Sequence, residues 1–333
     1  MPCLPKVELH LHLDCSLSYS AVARLDPSIS REQYESEFVA PPQCASLKDF
    51  LTRAPRGFQL MQTRRALRLV TEDLFAQLEA DGVIYAEIRF APLLHLLDGL
   101  TAEAVVQTVD RATETAIATT GIEARLILCT LRHFTAEQSL KTAQLVEQFR
   151  GSRVTALDIA GDEASYPLDP HVAAFRYVAE RGLARTAHAG EAMGPASVWE
   201  TLHALKPSRI GHGVRSAEDA VLVEHLHREQ IHLELCPTSN VQTRAVASYA
   251  EHAVDRLYRA GVSVGINTDT RTITNVTLEK EYARLREHFL WGDDELQACN
   301  HAALRAAFVD ETVRTQLIAK LEGGRPLSTT PAP

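Results

Sequence analysis

The chain of 333 residues has no CxxC pair among its six cysteines, no apolar run of 18 residues, no Pro/Gly/Ser-rich linker before its last residues and no surplus of positive charge. Each absence excludes something. Cys3, Cys15, Cys44, Cys129, Cys236 and Cys299 are scattered, most of them in apolar surroundings, which points to reduced thiols and a cytoplasmic protein. A single Lys precedes a charged, His-bearing stretch where a signal peptide would carry an apolar segment, so neither export nor a membrane span is expected. Lys and Arg number 34 against 43 Asp and Glu, a net charge of −9 with no visible basic patch. Nucleic acid and anionic membrane are thereby disfavoured as main partners, because both need a basic surface. No signal speaks to the oligomeric state.

What is present is an ordinary globular composition, 45% hydrophobic and 23% charged, with enough apolar residues for a large core. Strand-like runs are expected at residues 6–12, 83–90, 123–131, 154–159, 184–188, 209–212, 232–236 and 263–269, with helical periodicity between them. Strands separated by crossover helices must run parallel, and eight such units close into an α/β fold of the (β/α)₈ barrel type. Residues 1–322 then form one domain, with extra helices inserted after the first strand and at the C-terminus. The insert, residues 17–82, is too long for one crossover and reads as several helices, a candidate lid over the barrel mouth. A flexible tail is expected from Gly323 to Pro333.

Chemistry in such a barrel sits at the C-terminal ends of the strands. The first strand, Lys6 to Asp14, alternates so that His10 and His12 share one face. With 14 histidines, about one His-x-His pair is expected by chance. The chain holds a control: His225-Leu226-His227 lies in a helical pattern, where residues two apart do not share a face, and reads as solvated helix surface. The first pair gains weight from the other strand ends, which carry Asp158, His188-Ala-Gly-Glu191, Gly211-His212-Gly213, Cys236-Pro-Thr-Ser-Asn240 and Asp269.

His10, His12, His188 and Asp269 form a nitrogen-rich set suited to one Zn²⁺ with a position left for water, whose acidity the metal would raise toward neutral pH. His212, flanked by glycines, could orient that water or shuttle its proton. Glu191, three residues beyond His188, could reach a substrate and hand a proton to a ring nitrogen. Its alternative reading is a helix N-cap or first-turn acid.

Taken together, the stretches Lys6–Asp14, Asp158–Glu163, His188–Glu191, Arg209–Gly213, Cys236–Asn240 and Asn267–Asp269 resemble the adenosine deaminase family of the amidohydrolase superfamily. The resemblance implies that His10, His12, His188 and Asp269 are zinc ligands, that Glu191 protonates purine N1, and that His212 assists attack at C6. It further implies a backbone NH of Gly161 on purine N3 and Asp14 on a ribose hydroxyl. Two positions depart from the family pattern: Cys15 where Gly is usual, and Thr270 where a second Asp usually meets purine N7. A neutral N7 is an acceptor, so a Thr270 hydroxyl can donate to it directly.

The expected activity is therefore hydrolytic deamination of a small purine, adenosine or 2′-deoxyadenosine, to the inosine product and ammonia. Free adenine and 6-amino-6-deoxyfutalosine are alternatives. A binuclear amidohydrolase would need a bridging lysine, and Leu157-Asp158-Ile159 of the fourth strand offers none. A non-catalytic purine-binding protein would have no need of both Glu191 and His212.

Overall fold

The computed structural model describes residues 4–323, so the expected tail lies, beyond Gly323, outside the described residues. Eight strands follow one another in order around a nearly closed barrel: β1 (Lys6–His12), β2 (Val83–Phe90), β3 (Glu123–Leu131), β4 (Val154–Ala160), β5 (Ala184–Ala189), β6 (Arg209–His212), β7 (His232–Leu235) and β8 (Val264–Ile266). All seven neighbouring pairs are parallel. Helices cover the outside, and several begin at threonines whose hydroxyls accept from the free amide of the third helical residue, as Thr63, Thr101 and Thr135 do.

The expected (β/α)₈ architecture is thus the observed one, with two differences at the seam between first and last strands. A register irregularity separates Glu8 from Leu11 in β1. As a result Glu8 meets Arg271 (2.7 Å) and the amide of Thr268 (2.9 Å), while His10 reaches Glu234 of β7 (2.9 Å). Simple alternation holds from His10 to His12 but not back to Glu8.

The second difference is in β8, which ends at Ile266 rather than Asp269. Beyond it, the side chain of Asn267 takes over from the backbone ladder. Its Oδ1 accepts from the amides of Leu9 (2.8 Å) and His10 (3.0 Å), and its Nδ2 donates to the carbonyls of Leu235 (3.3 Å) and Gly265 (3.2 Å). Asp269 then resumes pairing, giving its amide to His10 O (3.0 Å) and accepting from His12 N (2.8 Å). Asn300, in the penultimate described helix, Asp293–Ala306, accepts from Val7 N (2.9 Å) further down β1.

Between β1 and β2 lie the short helices Tyr19–Leu25, Arg31–Glu37, Leu47–Leu51 and Ala54–Phe58, then the crossover helix Arg64–Ala80. Helix Ala54–Phe58 packs on the residues just after β1, where a β-carbon on Gly57 would come within 2.4 Å of the Asp14 carbonyl oxygen. Only glycine permits that approach. On helix Ala220–Arg228, His225 lies against Trp199 and His227 bonds the carbonyl of Gly261, so the two imidazoles do not converge. Among the described residues no helix is long and apolar enough to cross a membrane.

The seam generates a stability test. Asn267→Ala leaves the buried amides of Leu9 and His10 without their acceptor, each worth about 1–3 kcal/mol. Urea unfolding should show a loss of at least about 2 kcal/mol; a loss below about 1 kcal/mol would mean that the seam does not depend on this side chain.

Candidate metal centre and active site

His10, His12, His188 and Asp269 converge above the strand ends, with one ligand atom from each lying within 4.8 Å of all the others. His12 Nε2 is 3.2 Å from His188 Nε2, and Asp269 Oδ1 is 3.4 Å from His10 Nε2 and 3.5 Å from His12 Nε2. Behind them, Glu234 accepts from His10 Nδ1 at 2.9 Å and Asp158 faces His188 Nδ1 at 3.1 Å. An ionised carboxylate there requires the proton on Nδ1, which turns the Nε2 lone pair toward the cluster. Burial pushes His12 down to about 3, so its ring is neutral and able to ligate.

The arrangement fits a cation. His10 Nε2 is buried with no hydrogen-bond partner, and lone pairs crowd around a carboxylate that would repel them unless positive charge lay between. Three imidazole nitrogens and one carboxylate oxygen are a donor set that suits zinc and similar divalent ions. Room for the His10 ring comes from β6, since a β-carbon on Gly211 would sit 2.9 Å from His10 Cε1.

Beside this cluster, His212 and Glu191 face each other, with Nε2 and Oε2 3.6 Å apart. Glu191 lies in the loop before helix Pro195–Leu205, whose N-cap is Gly194. That placement removes its alternative reading as a capping acid. Burial raises the Glu191 carboxyl well above the usual range, and the charges of Asp269 and Glu163 push it the same way. A cation among the ligands would offset the effect of Asp269, while burial and Glu163 would still favour a protonated, proton-donating Glu191.

Glu163 also builds the loop that carries Glu191. Its Oε1 accepts from Gly190 N (2.7 Å) and Ser197 Oγ (2.6 Å), and its Oε2 from the amides of Glu191 (3.0 Å), Ala192 (2.7 Å) and Met193 (3.0 Å). One carboxylate thereby satisfies five donors. The sequence reading quoted Glu163 within a motif but gave it no task.

A cavity of about 440 Å³ opens above these groups, within the range of small-ligand sites. Of the nine residues singled out from sequence, His12, Asp14, Gly161, His188, Glu191, His212, Asp269 and Thr270 line it, and His10 lies buried behind them. Asp14 is fixed by the amide of Ala91 on its Oδ2 (3.1 Å). Thr270 Oγ1 is buried with no hydrogen-bond partner. Cys15 lines the wall too, and helices Leu47–Leu51 and Ala54–Phe58 contribute Leu47, Phe50, Leu51 and Phe58.

Sequence reasoning missed the supporting polar groups Arg89 and Glu234, and left Asp158 without a partner. The signal available was charge inside otherwise apolar strands, as in Ile88-Arg89-Phe90 and Leu233-Glu234-Leu235. Such residues must be paired when both faces of a strand are buried.

A family model described as adenosine deaminase matches residues 5–323. An adenosine deaminase of Clostridium acetobutylicum is 34% identical over 326 residues, covering 96% of this chain and 97% of that one. The adenosine deaminase of Mycobacterium marinum is 37% identical over 338 residues, covering 94% and 93% respectively. Among solved structures, adenine deaminase from Arthrobacter aurescens matches with a TM-score of 0.89 at 25% identity, over 96% of this chain and 99% of that one.

Glu163→Gln places amide hydrogens against a row of donors and removes a charge that favours protonated Glu191. Without that charge Glu191 loses its proton at lower pH, so the basic limb of the pH–rate profile should move to lower pH. The turnover number should also fall by about tenfold or more. An unmoved basic limb would show that Glu163 does not act on Glu191.

Proposed function

The chain belongs to the adenosine deaminase family and is a hydrolytic deaminase acting on C–N bonds, and on that premise we propose that its substrate is adenosine or 2′-deoxyadenosine, deaminated with one Zn²⁺ per chain. The carrying observation is the convergence of four ligand-capable groups, a buried acid and a buried imidazole at one end of the same cavity. His10, His12, His188 and Asp269 would hold the ion, which when bound supplies an acidified water near neutral pH.

The chain's own residues take the remaining roles. Glu191 gives its proton to N1 as the water oxygen bonds to C6; one proton of that water passes to the exocyclic amino group, which leaves as ammonia as the C6–N bond breaks and C6=O forms, and the remaining hydroxyl proton returns to Glu191. His212 stands opposite Glu191 and meets the attacking oxygen. Gly161, in a left-handed conformation with φ of 101° at the end of β4, would offer its NH to N3. Asp14, held by Ala91, would meet a ribose hydroxyl. The helices that wall the cavity would serve as its lid and exclude water.

Thr270 is the residue by which this chain departs from its family at N7. Its unpartnered, buried hydroxyl carries a desolvation cost that a ring-nitrogen acceptor would relieve. Free adenine is the second reading, favoured by the Cys15 thiol beside Asp14 in the cavity wall.

An ammonia-release assay with zinc-loaded protein over adenosine, 2′-deoxyadenosine, adenine and aminodeoxyfutalosine tests the assignment. The nucleosides should be turned over with the highest kcat/KM, and preference for adenine would transfer the assignment to the second reading. Glu191→Gln should abolish turnover with zinc content intact; metal loss in that variant would contradict its role as an acid. For Thr270→Val, kcat/KM should fall more than about threefold, or roughly 0.7 kcal/mol, and a smaller loss would leave N7 without this partner.

A further inference from the structure

Asn240 and His252 have no part in the roles given above, yet both are buried and connected to His212 by an unbroken line of hydrogen bonds. Helix Val254–Arg259 begins at Val254, whose amide has no carbonyl partner within the helix. It donates instead to His252 Nδ1 at 3.1 Å. A backbone amide can only donate, so Nδ1 is an acceptor and the neutral ring carries its proton on Nε2. Burial keeps that ring neutral, its protonation pushed down to about 3.

His252 Nε2 lies 3.0 Å from Asn240 Oδ1 and therefore donates to it. The orientation of the Asn240 amide follows, with Nδ2 placed 3.1 Å from His212 Nδ1. Turning the amide over would require His252 to accept at both nitrogens, which only an imidazolate does. His212 Nδ1 is in turn an acceptor, and the ring's proton sits on Nε2, the nitrogen that faces Glu191 and the cavity.

We propose that His252 and Asn240 form a positioning relay that fixes His212 with its proton on Nε2, so that His212 meets the attacking oxygen as a hydrogen-bond donor and not as a base. The inference rests on the deaminase reading for what His212 does, but not for which nitrogen bears the proton. Alternation of a rigid donor and acceptor along the line, starting from a backbone amide that cannot reverse, makes the outcome independent of substrate. His212 itself is held with φ of 60°, so its ring is aimed by the backbone on one side and by Asn240 on the other.

Two measurements test it. In ring nitrogen–proton correlation spectra of zinc-loaded protein labelled at histidine, His212 and His252 should both show the Nε2–H tautomer; an Nδ1–H signature for His212 overturns the proposal whatever the activity. Asn240→Asp accepts from both imidazoles and moves the His212 proton to Nδ1. Its kcat should fall about a hundredfold with KM little changed, since holding a catalytic imidazole in the wrong tautomer can cost up to about 10⁴-fold. If His212 were the base, this variant would keep or raise kcat, and that result overturns the proposal. His252→Leu should lower kcat at least about tenfold, whereas His252→Gln, which can accept from Val254 and donate to Asn240, should recover most of the rate. Equal rates in the Leu and Gln variants also overturn it. Failure of the wild type to release ammonia would count against the deaminase reading, while the tautomer spectra would still decide the relay.

Discussion

Arg89, fully buried inside the barrel, ties together the carboxylates that aim the metal-capable imidazoles. Its Nη1 lies 2.9 Å from Asp158 and its Nη2 2.7 Å from Glu234, with the Leu9 carbonyl at 2.6 Å. Asp158 orients His188, and Glu234 orients His10. Burial opposes the guanidinium's charge, but Glu234 and Asp158 more than offset it. For Glu234, burial likewise works against ionisation, and Arg89 and Arg209 overcome it. Uncompensated charge in such a place would cost several kcal/mol. The pairing is therefore what allows two ionised carboxylates to stand behind His10 and His188.

That inner network extends downward. Arg209 joins Glu234 (2.7 Å) to Glu87 (2.5 Å), and Glu87 accepts from Tyr85 and from the amide of Phe308 in the C-terminal segment. Five strands are thus connected to the imidazole of His10 through side chains, and the C-terminal segment joins them through the backbone amide of Phe308. Displacing one member would leave a neighbour's charge unpaired, so the placement of these imidazoles is held by the cost of breaking the network rather than by any single bond. His212 and Asp269 both have positive φ, near 60° and 63°. Such conformations cost non-glycine residues about 1–3 kcal/mol and persist where surrounding structure fixes them. Asp269 is fixed by its pairing with His10 and His12 across the seam, His212 by Asn240.

How much of this was legible in the sequence differs by kind of feature. The eight strands, the helices between them and the convergence of His10, His12, His188, Glu191, His212 and Asp269 on one barrel mouth could be read, because strand periodicity and terminal polar residues leave a local signature. Errors fell where a side chain replaced backbone. β8 was extended to Asp269 because Asn267 reads as another strand residue, although its amide group performs the ladder's pairing. The alternation of β1 was carried back to Glu8 because a bulge leaves no mark in composition. Glu163 looked like one more acid after a strand, and only its five donors identify it as the support of the Glu191 loop.

The sequence by itself determined which groups are available for chemistry and roughly where along the barrel each one falls, since period, strand order and residue type are local properties of the chain. Only the tertiary structure decided which nitrogen of each histidine faces the site, which carboxylate stands behind it, and that Thr270 holds a hydroxyl without a partner. Those features depend on atoms brought together from residues as distant as His10 and Glu234 or Val254 and His212. Hydrogen-bond direction at a contact is fixed by both partners at once, and no single stretch of sequence contains both.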